Sequence, residues 1–243
     1  MNGVVARLTA RSLLGRRRIL LLLALPVVLM LLCVAVRLLA GPDTAVTVGL
    51  LAGFALGTVV PLLGLIAGAG SIGPEIDDGS IVYLMSKPLS RHTIVRSKLA
   101  VAIAVVIVVA AVPTFLAGLV LGGSEDRLAI GFAVGAAVAG LAYCALFVLL
   151  AIVTRNAVVI GLIYVLIWES LVGSFVPGAQ VLSVQQWGLA VTEKIVGSTQ
   201  GPLFGVSSAV SFGAGVTLLT LLVVGCTWYA GRRLRMLRLT GTE

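Results

Sequence analysis

The sequence predicts an all-α membrane protein of six transmembrane helices with both ends in the cytoplasm, and three observations carry that prediction. First, 60% of the 243 residues are apolar and only 11% are charged, where soluble domains carry roughly 25% charged residues. Second, the apolar residues are collected into charge-free runs: Ile19–Val36, Thr44–Pro74, Leu99–Ser124, Leu128–Thr154, Asn156–Trp168, Ser170–Thr192 and Ile195–Gly231. A helix needs roughly 20 such residues to cross the hydrocarbon layer. Barrel-type alternation is absent, and in lipid the backbone must satisfy its own hydrogen bonds, so helices remain. Third, the basic residues gather on alternate connections.

Residues 1–18 read as an amphipathic elbow helix at the cytoplasmic surface, with Val4, Val5 and Leu8 on one face and Arg7, Arg11 and Arg18 on another. Such a helix lies in the interface with its arginines at the headgroups; a disordered basic leader is the plainer alternative. Spans are expected at about 19–40, 46–70, 99–121, 129–153, 157–176 and 208–230, all inside one membrane domain, 19–231. Gly41-Pro42, Gly122-Gly123-Ser124 and Thr154-Arg155-Asn156 break the chain between them. Pro177-Gly178 and Gly201-Pro202 divide the long run Ser170–Gly231, and residues 232–243 form a basic tail. A cleaved signal peptide is not expected, because the first apolar run lacks a small-residue cleavage site and further spans follow.

Orientation follows from the connections. Fourteen Lys and Arg fall on the side that holds both termini, and three (Arg37, Arg127 and Lys194) on the other. The positive-inside rule then places both termini in the cytoplasm, and two termini on one side require an even number of crossings. The formal charge of +8 is therefore read as an attraction to anionic lipid, with no nucleic-acid partner.

Catalysis finds no support in the residues. His92 is the one histidine, which leaves no Ser-His-Asp arrangement and no His-Glu-x-x-His. There is no Gly-x-x-x-x-Gly-Lys-Ser/Thr phosphate loop. Cys33, Cys144 and Cys226 lie far apart inside apolar runs and read as small hydrophobes with no metal spacing. Glycine pairs at Gly53/Gly57, Gly64/Gly68, Gly118/Gly122 and Gly131/Gly135 read as sites of close helix packing.

Two connections are too long for simple turns. In the cytoplasmic one, 71–98, Pro74 is expected at a first helical position with Glu75, Asp77 and Asp78 in the first turn, followed by the apolar Ile81, Val82, Leu84 and Met85. Lys87-Pro88 ends this short amphipathic helix, and Ser90 can cap the next one. It reads equally as a surface helix closing the bundle or as a docking element for a soluble partner. In the external connection, 177–207, Trp187 suits a membrane interface, and a short helix on or in the outer leaflet is expected, with an ordinary loop as the alternative.

Within the spans Glu169 stands out. Counted from Asn156 at about 1.5 Å per residue, it lies roughly 20 Å deep, in the outer half of the layer, where a charge faces a cavity or a partner. Arg37 is the candidate partner by depth, within a subunit or across a dimer; the other reading has both side chains reaching to the external surface.

The 71–98 segment resembles the loop between the second and third spans of ABC-2-type transporter permeases. The matching residues are Glu75, Gly79-Ser80, Leu84, Pro88, Ser90-Arg91 and Lys98. Ser80 stands where the family often has Thr. The general plan also resembles the family: an elbow, six spans, and a longer external excursion before the last span, in a type V exporter-like architecture. The resemblance implies a permease subunit of an ABC exporter in the plasma membrane of a bacterium. It implies that Glu75, Asp78, Gly79, Ser80, Leu84, Pro88, Arg91 and Lys98 belong to a coupling helix that touches a separate ATPase dimer. ATP and Mg would then be held by that partner, this chain would bind no cofactor and catalyse nothing itself, and a second permease subunit would complete a homo- or heterodimeric pathway. It also implies a re-entrant element within 177–207. Two other readings stay open: an ion- or proton-coupled carrier using Glu169, and a non-transporting membrane anchor for a soluble complex. The few polar groups in the spans favour a lipophilic or amphipathic cargo.

Overall fold

The apolar runs become helices in chain order. The computed structural model describes residues 3–13, 15–41, 43–78, 91–122, 126–172, 178–197 and 205–236. Among them there is no strand. The helices are α1 (Gly3–Leu13), α2 (Arg16–Ala40), α3 (Thr44–Gly49, Leu50–Val59 and Val60–Asp77), α4 (Arg91–Val106, Ile107–Ala111 and Val112–Gly122) and α5 (Asp126–Val153). There follow α6 (Ala157–Ile163 and Tyr164–Val172), a 3-10 turn at Ala179–Leu182, α7 (Val184–Val196) and α8 (Phe212–Met236).

Among the described residues five helices are long and apolar enough to cross a membrane: α2, α3, α4, α5 and α8. Of the expected fifth span, 157–176, the described part is helical over Ala157–Val172, with an apolar stretch Ala157–Glu169, and 173–176 lie outside the described residues. α1 ends at Leu13, and Arg16, Arg17 and Arg18 already belong to α2, so the helix expected over 1–18 is shorter. Among its described side chains Thr9 and Leu13 are buried, one turn apart, while Leu8 is half-exposed. This packs α1 against α4 and the end of α3.

α5 is the centre of the bundle and packs against α3, α4, α7 and α8. Glycines set how closely the neighbours approach. A Cβ on Gly64 would sit 2.6 Å from the Tyr143 Cβ, and one on Gly68 3.0 Å from the Phe147 Cβ. Across α5, Gly131 and Gly135 meet Thr192, Gly188 and Val196 of α7, and Gly118 of α4 meets the Ala129 Cα. These spacings are the packing sites read from the sequence, although Gly53 faces open space. Burial separates the helices: 61% of the α3 and α5 spans is buried, against 22% for α2 and 11% for α8. The last two therefore form outer walls.

Proline shapes two spans. α3 widens to i→i−5 bonding over Leu50–Val59, where the Val60 N–H donates to the Ala55 carbonyl, and α4 widens over Ile107–Ala111. In each case Val-Pro follows, at Val60-Pro61 and Val112-Pro113. A proline offers no N–H and its ring crowds the carbonyl four residues back, and a wide turn relieves both effects.

The expected break at Gly41 is present. Its φ of 71° turns the chain out of α2, and the Asp43 carboxylate then accepts from the Ala45 N–H at 2.8 Å to start α3. The expected start at Pro74 is not. α3 runs through Pro74 to Asp77, which places Glu75 and Asp77 in the last helical turn and Asp78 at the C-cap. The proline is accommodated by a contact from another helix. Pro74 cannot donate to the Gly70 carbonyl, and the Arg18 guanidinium donates to it instead at 3.0 Å.

Candidate functional site

The described ends of the cytoplasmic connection meet at a buried ion pair. The Lys98 Nζ donates to Glu75 Oε1 at 2.6 Å and to the Ser71 carbonyl at 2.7 Å. Lys98 is fully buried and the Glu75 side chain is 26% exposed. Two local causes bring them together. The last turn of a helix disfavours anions, so Glu75 needs a cation, and the first turns of α4 run back along the end of α3. The expectation that Lys98 is a docking residue is corrected here: with no exposed surface it holds α4 to α3. Asp78 is exposed beside this pair. Gly79, Ser80, Leu84 and Pro88 lie outside the described residues, as do Ile81, Val82, Met85 and Ser90. Arg91 begins α4.

The basic connections come together at one end of the bundle. Arg18 bonds the Gly70 carbonyl and, at 3.4 Å, Ser12. Arg155 lines a cavity together with Arg18 and Pro74. His92 presses on Gly231, and Arg232 covers the Trp228 ring at 4.9 Å. The opposite end holds Arg37, Arg127 and Lys194, and there the Arg37 guanidinium donates to the Leu121 carbonyl at 3.1 Å, in the last turn of α4. A cation at a helix C-terminus is favourably placed.

Glu169 is fully buried, and it lies where a new helix begins. Its Oε1 accepts from the Val184 N–H at 3.1 Å and from the Tyr164 hydroxyl at 3.3 Å, and its Oε2 accepts a short bond from the Ser183 hydroxyl. Tyr143 is fully buried, and its hydroxyl has no hydrogen-bond partner among the described residues. Ser183 is the N-cap residue of α7 and makes no side-chain cap of its own. The Glu169 side chain therefore takes up an amide with no intrahelical partner at the N-terminus of α7. The expected Glu169–Arg37 contact is not formed within the chain, because each side chain is bonded elsewhere. Lys98–Glu75 is the ion pair among the described residues.

α7 is inserted into the bundle. Val184, Trp187, Gly188, Leu189, Ala190 and Val191 are among its buried residues. The Thr192 hydroxyl donates toward the Gly131 carbonyl at 3.1 Å, and Gln185 Nε2 donates to the Ala52 carbonyl at 2.8 Å, inside the widened part of α3. Trp187 is 3% exposed and its indole N–H donates to the Val181 carbonyl at 2.8 Å. It is an internal packing residue, which corrects the interfacial placement. The return toward α8 is held by the Ser208 N–H donating to Glu193 Oε2 at 3.0 Å and by the Ser208 hydroxyl donating to the Gln186 carbonyl at 3.0 Å.

Sequence reasoning missed Ser71, Tyr143, Tyr164, Ser183 and Gln185. Only Ser183 had a local signal, a serine directly before an apolar helix.

A family model described as ABC-2 family transporter protein matches residues 5–229. The chain belongs to the ABC-2 family. No curated protein matches the chain. As an ABC-2 protein it is a multi-pass membrane component of a transporter and is not itself catalytic. Within this ABC-2 permease, Glu75 bonds Lys98 between α3 and α4, and Glu169 bonds Ser183 and Val184 at the start of α7.

Proposed function

We propose that the chain is the permease subunit of an ABC exporter of the cytoplasmic membrane, driven by a separate ATPase dimer that docks on the 71–98 connection and α1. Both termini lie on the ATPase side, in the cytoplasm of a bacterial cell. The chain crosses the membrane six times, α6 together with the residues after it making the fifth crossing, and α7 is a re-entrant element at the outer side. A second permease subunit, identical or different, completes the pathway. ATP and Mg belong to the ATPase. The cargo is lipophilic or amphipathic.

The observation that carries this reading is the Lys98–Glu75 pair. The connection leaves α3 and returns on α4 between two residues bonded at 2.6 Å. Force applied there reaches two spans at once. ATP-driven closure of the partner would then bias an inward- against an outward-facing arrangement, as rigid elements do in hinge and shear transitions. Against a carrier that uses Glu169 stands its engagement with the start of α7, through Ser183 and the Val184 N–H.

The test is co-purification and transport with the ATPase, using a variant that spares the ion pair. Asp78→Arg combined with Arg91→Glu is expected to lose both the bound ATPase and transport. Full ATPase association and transport in that variant would show that the connection is not the dock. ATPase binding with no ATP-dependent movement of any amphipathic cargo would leave the chain as an anchor.

A further inference from the structure

A cavity of about 440 Å³ opens at the basic end of the bundle between α2, α3 and the turn joining α5 to α6. It belongs neither to the Lys98–Glu75 pair nor to the Glu169 network. Two arginines line it, Arg18 and Arg155, and none of its described lining residues is acidic. Its remaining wall is mostly apolar, with Leu21, Leu65, Ile66, Ala69, Val158 and Val159.

We propose that this groove binds one anionic phospholipid, with the phosphate between Arg18 and Arg155 and the acyl chains along Leu21 and Val158. Charge, shape and direction point to the same occupant. Arg18 is held in place because one of its nitrogens is already bonded to the Gly70 carbonyl and Ser12. A guanidinium has five donors, so others remain for a phosphate, and a fixed fork suits phosphate oxygens. Arg155 stands exposed on the α5–α6 turn, where its side chain can close on the same anion. The positive end of the α6 helix adds to this field, since Asn156 makes no side-chain cap there.

The groove is also not closed on its apolar side. Leu21, Val158 and Val159 are 58%, 56% and 59% exposed at its rim, and all three lie on helices that cross or enter the membrane. A small soluble anion would use the arginines and leave this wall wet. A phospholipid uses both, with its chains continuing over the rim into the bilayer. The volume lies within the range of roughly 300–1,000 Å³ typical of ligand cavities, enough for a headgroup and the first methylenes.

The experiment is lipid titration of the detergent-purified full chain, read by native mass spectrometry and by thermal shift. Phosphatidylglycerol and phosphatidylcholine are the two lipids. Wild type is expected to retain one phosphatidylglycerol and to prefer it to phosphatidylcholine. Arg155→Gln is expected to weaken that binding about tenfold, while Arg127→Gln, an exposed arginine at the other end, leaves it unchanged. Equal losses in the two variants, or no preference for phosphatidylglycerol, would overturn the site. So would glycerol phosphate binding as tightly as phosphatidylglycerol, since the ligand would then be a free anion. Val158→Trp, which fills the rim, is expected to block lipid without changing the number of chains in the particle. A changed oligomeric state in that variant would make the groove a subunit contact and sink the lipid assignment.

Discussion

Replacing Glu75 by Gln removes one charge and almost no volume. Lys98 is then a fully buried ammonium whose remaining protein acceptors are the Ser71 carbonyl at 2.7 Å and a neutral amide oxygen. Breaking a buried ion pair from one side costs about 3–5 kcal/mol, because the surviving charge is desolvated. The reverse substitution is unequal. Lys98→Met deletes the buried charge and leaves Glu75, which is 26% exposed and can turn toward water, at a cost of about 1–2 kcal/mol. The double variant leaves no charge stranded and recovers most of the Glu75→Gln loss. At about 2–4 °C per kcal/mol for a chain of this size, the midpoint falls by roughly 6–20 °C for Glu75→Gln and roughly 2–8 °C for Lys98→Met. Thermal unfolding in one fixed detergent, followed by tryptophan fluorescence, gives the three differences and their coupling. A Lys98→Met loss larger than the Glu75→Gln loss, or additive losses in the double variant, would refute the assignment of Lys98 as the stranded partner. The Glu75→Gln loss is also expected to be alike in low and high salt, since buried pairs are little screened.

The Glu169 carboxylate is expected to behave as a helix cap. Glu169→Ala costs about 1–3 kcal/mol for the stranded Val184 amide and raises hydrogen exchange across the first turn of α7, whereas Glu169→Gln, which keeps an acceptor oxygen, loses less. With the ATPase present, dissipating the proton gradient leaves transport by wild type and Glu169→Gln unchanged; loss of transport would return Glu169 to a proton-coupling role. Gly64→Ala forces a Cβ to within 2.6 Å of the Tyr143 Cβ and destabilises by about 1–3 kcal/mol, while Gly53→Ala, facing open space, is neutral or gains up to about 1 kcal/mol of helix propensity. Arg37→Gln weakens the contact to the Leu121 carbonyl and lowers stability by about 1–3 kcal/mol, against less than about 0.5 kcal/mol for the exposed Arg127→Gln.

What the sequence discloses is whatever depends on runs and spacings. Charge-free runs locate the five long helices, the basic connections mark one end, and Gly64/Gly68 and Gly131/Gly135 foretell where α5 is approached closely. What it withholds is whatever depends on a second helix. Pro74 reads as a helix start because prolines usually stand there; the helix continues because Arg18, 52 residues away in the chain, bonds Gly70 in its place. Lys98 resembles a docking cation until Glu75 is seen to bury it. Glu169 is conspicuous by its charge, but its acceptor role requires α7 to begin beside it, which no local pattern states. Trp187 has the character of an interfacial residue, and only the packing of α7 against α5 shows it to be internal.

The bonds at Glu169 also have an order in time. Residue 169 is synthesised before Ser183 and Val184, so its side chain exists before the hydroxyl and the amide that bond it. Until those donors arrive, a carboxyl group in lipid lacks its partners, which is unfavourable. α7 alone faces the matching difficulty, an uncompensated positive end buried in the bundle. Glu169 and the start of α7 satisfy each other only once both have been made. A chain truncated between 169 and 184 is therefore expected to hold Glu169 without these donors and to be degraded faster than the full chain in a pulse-chase measurement.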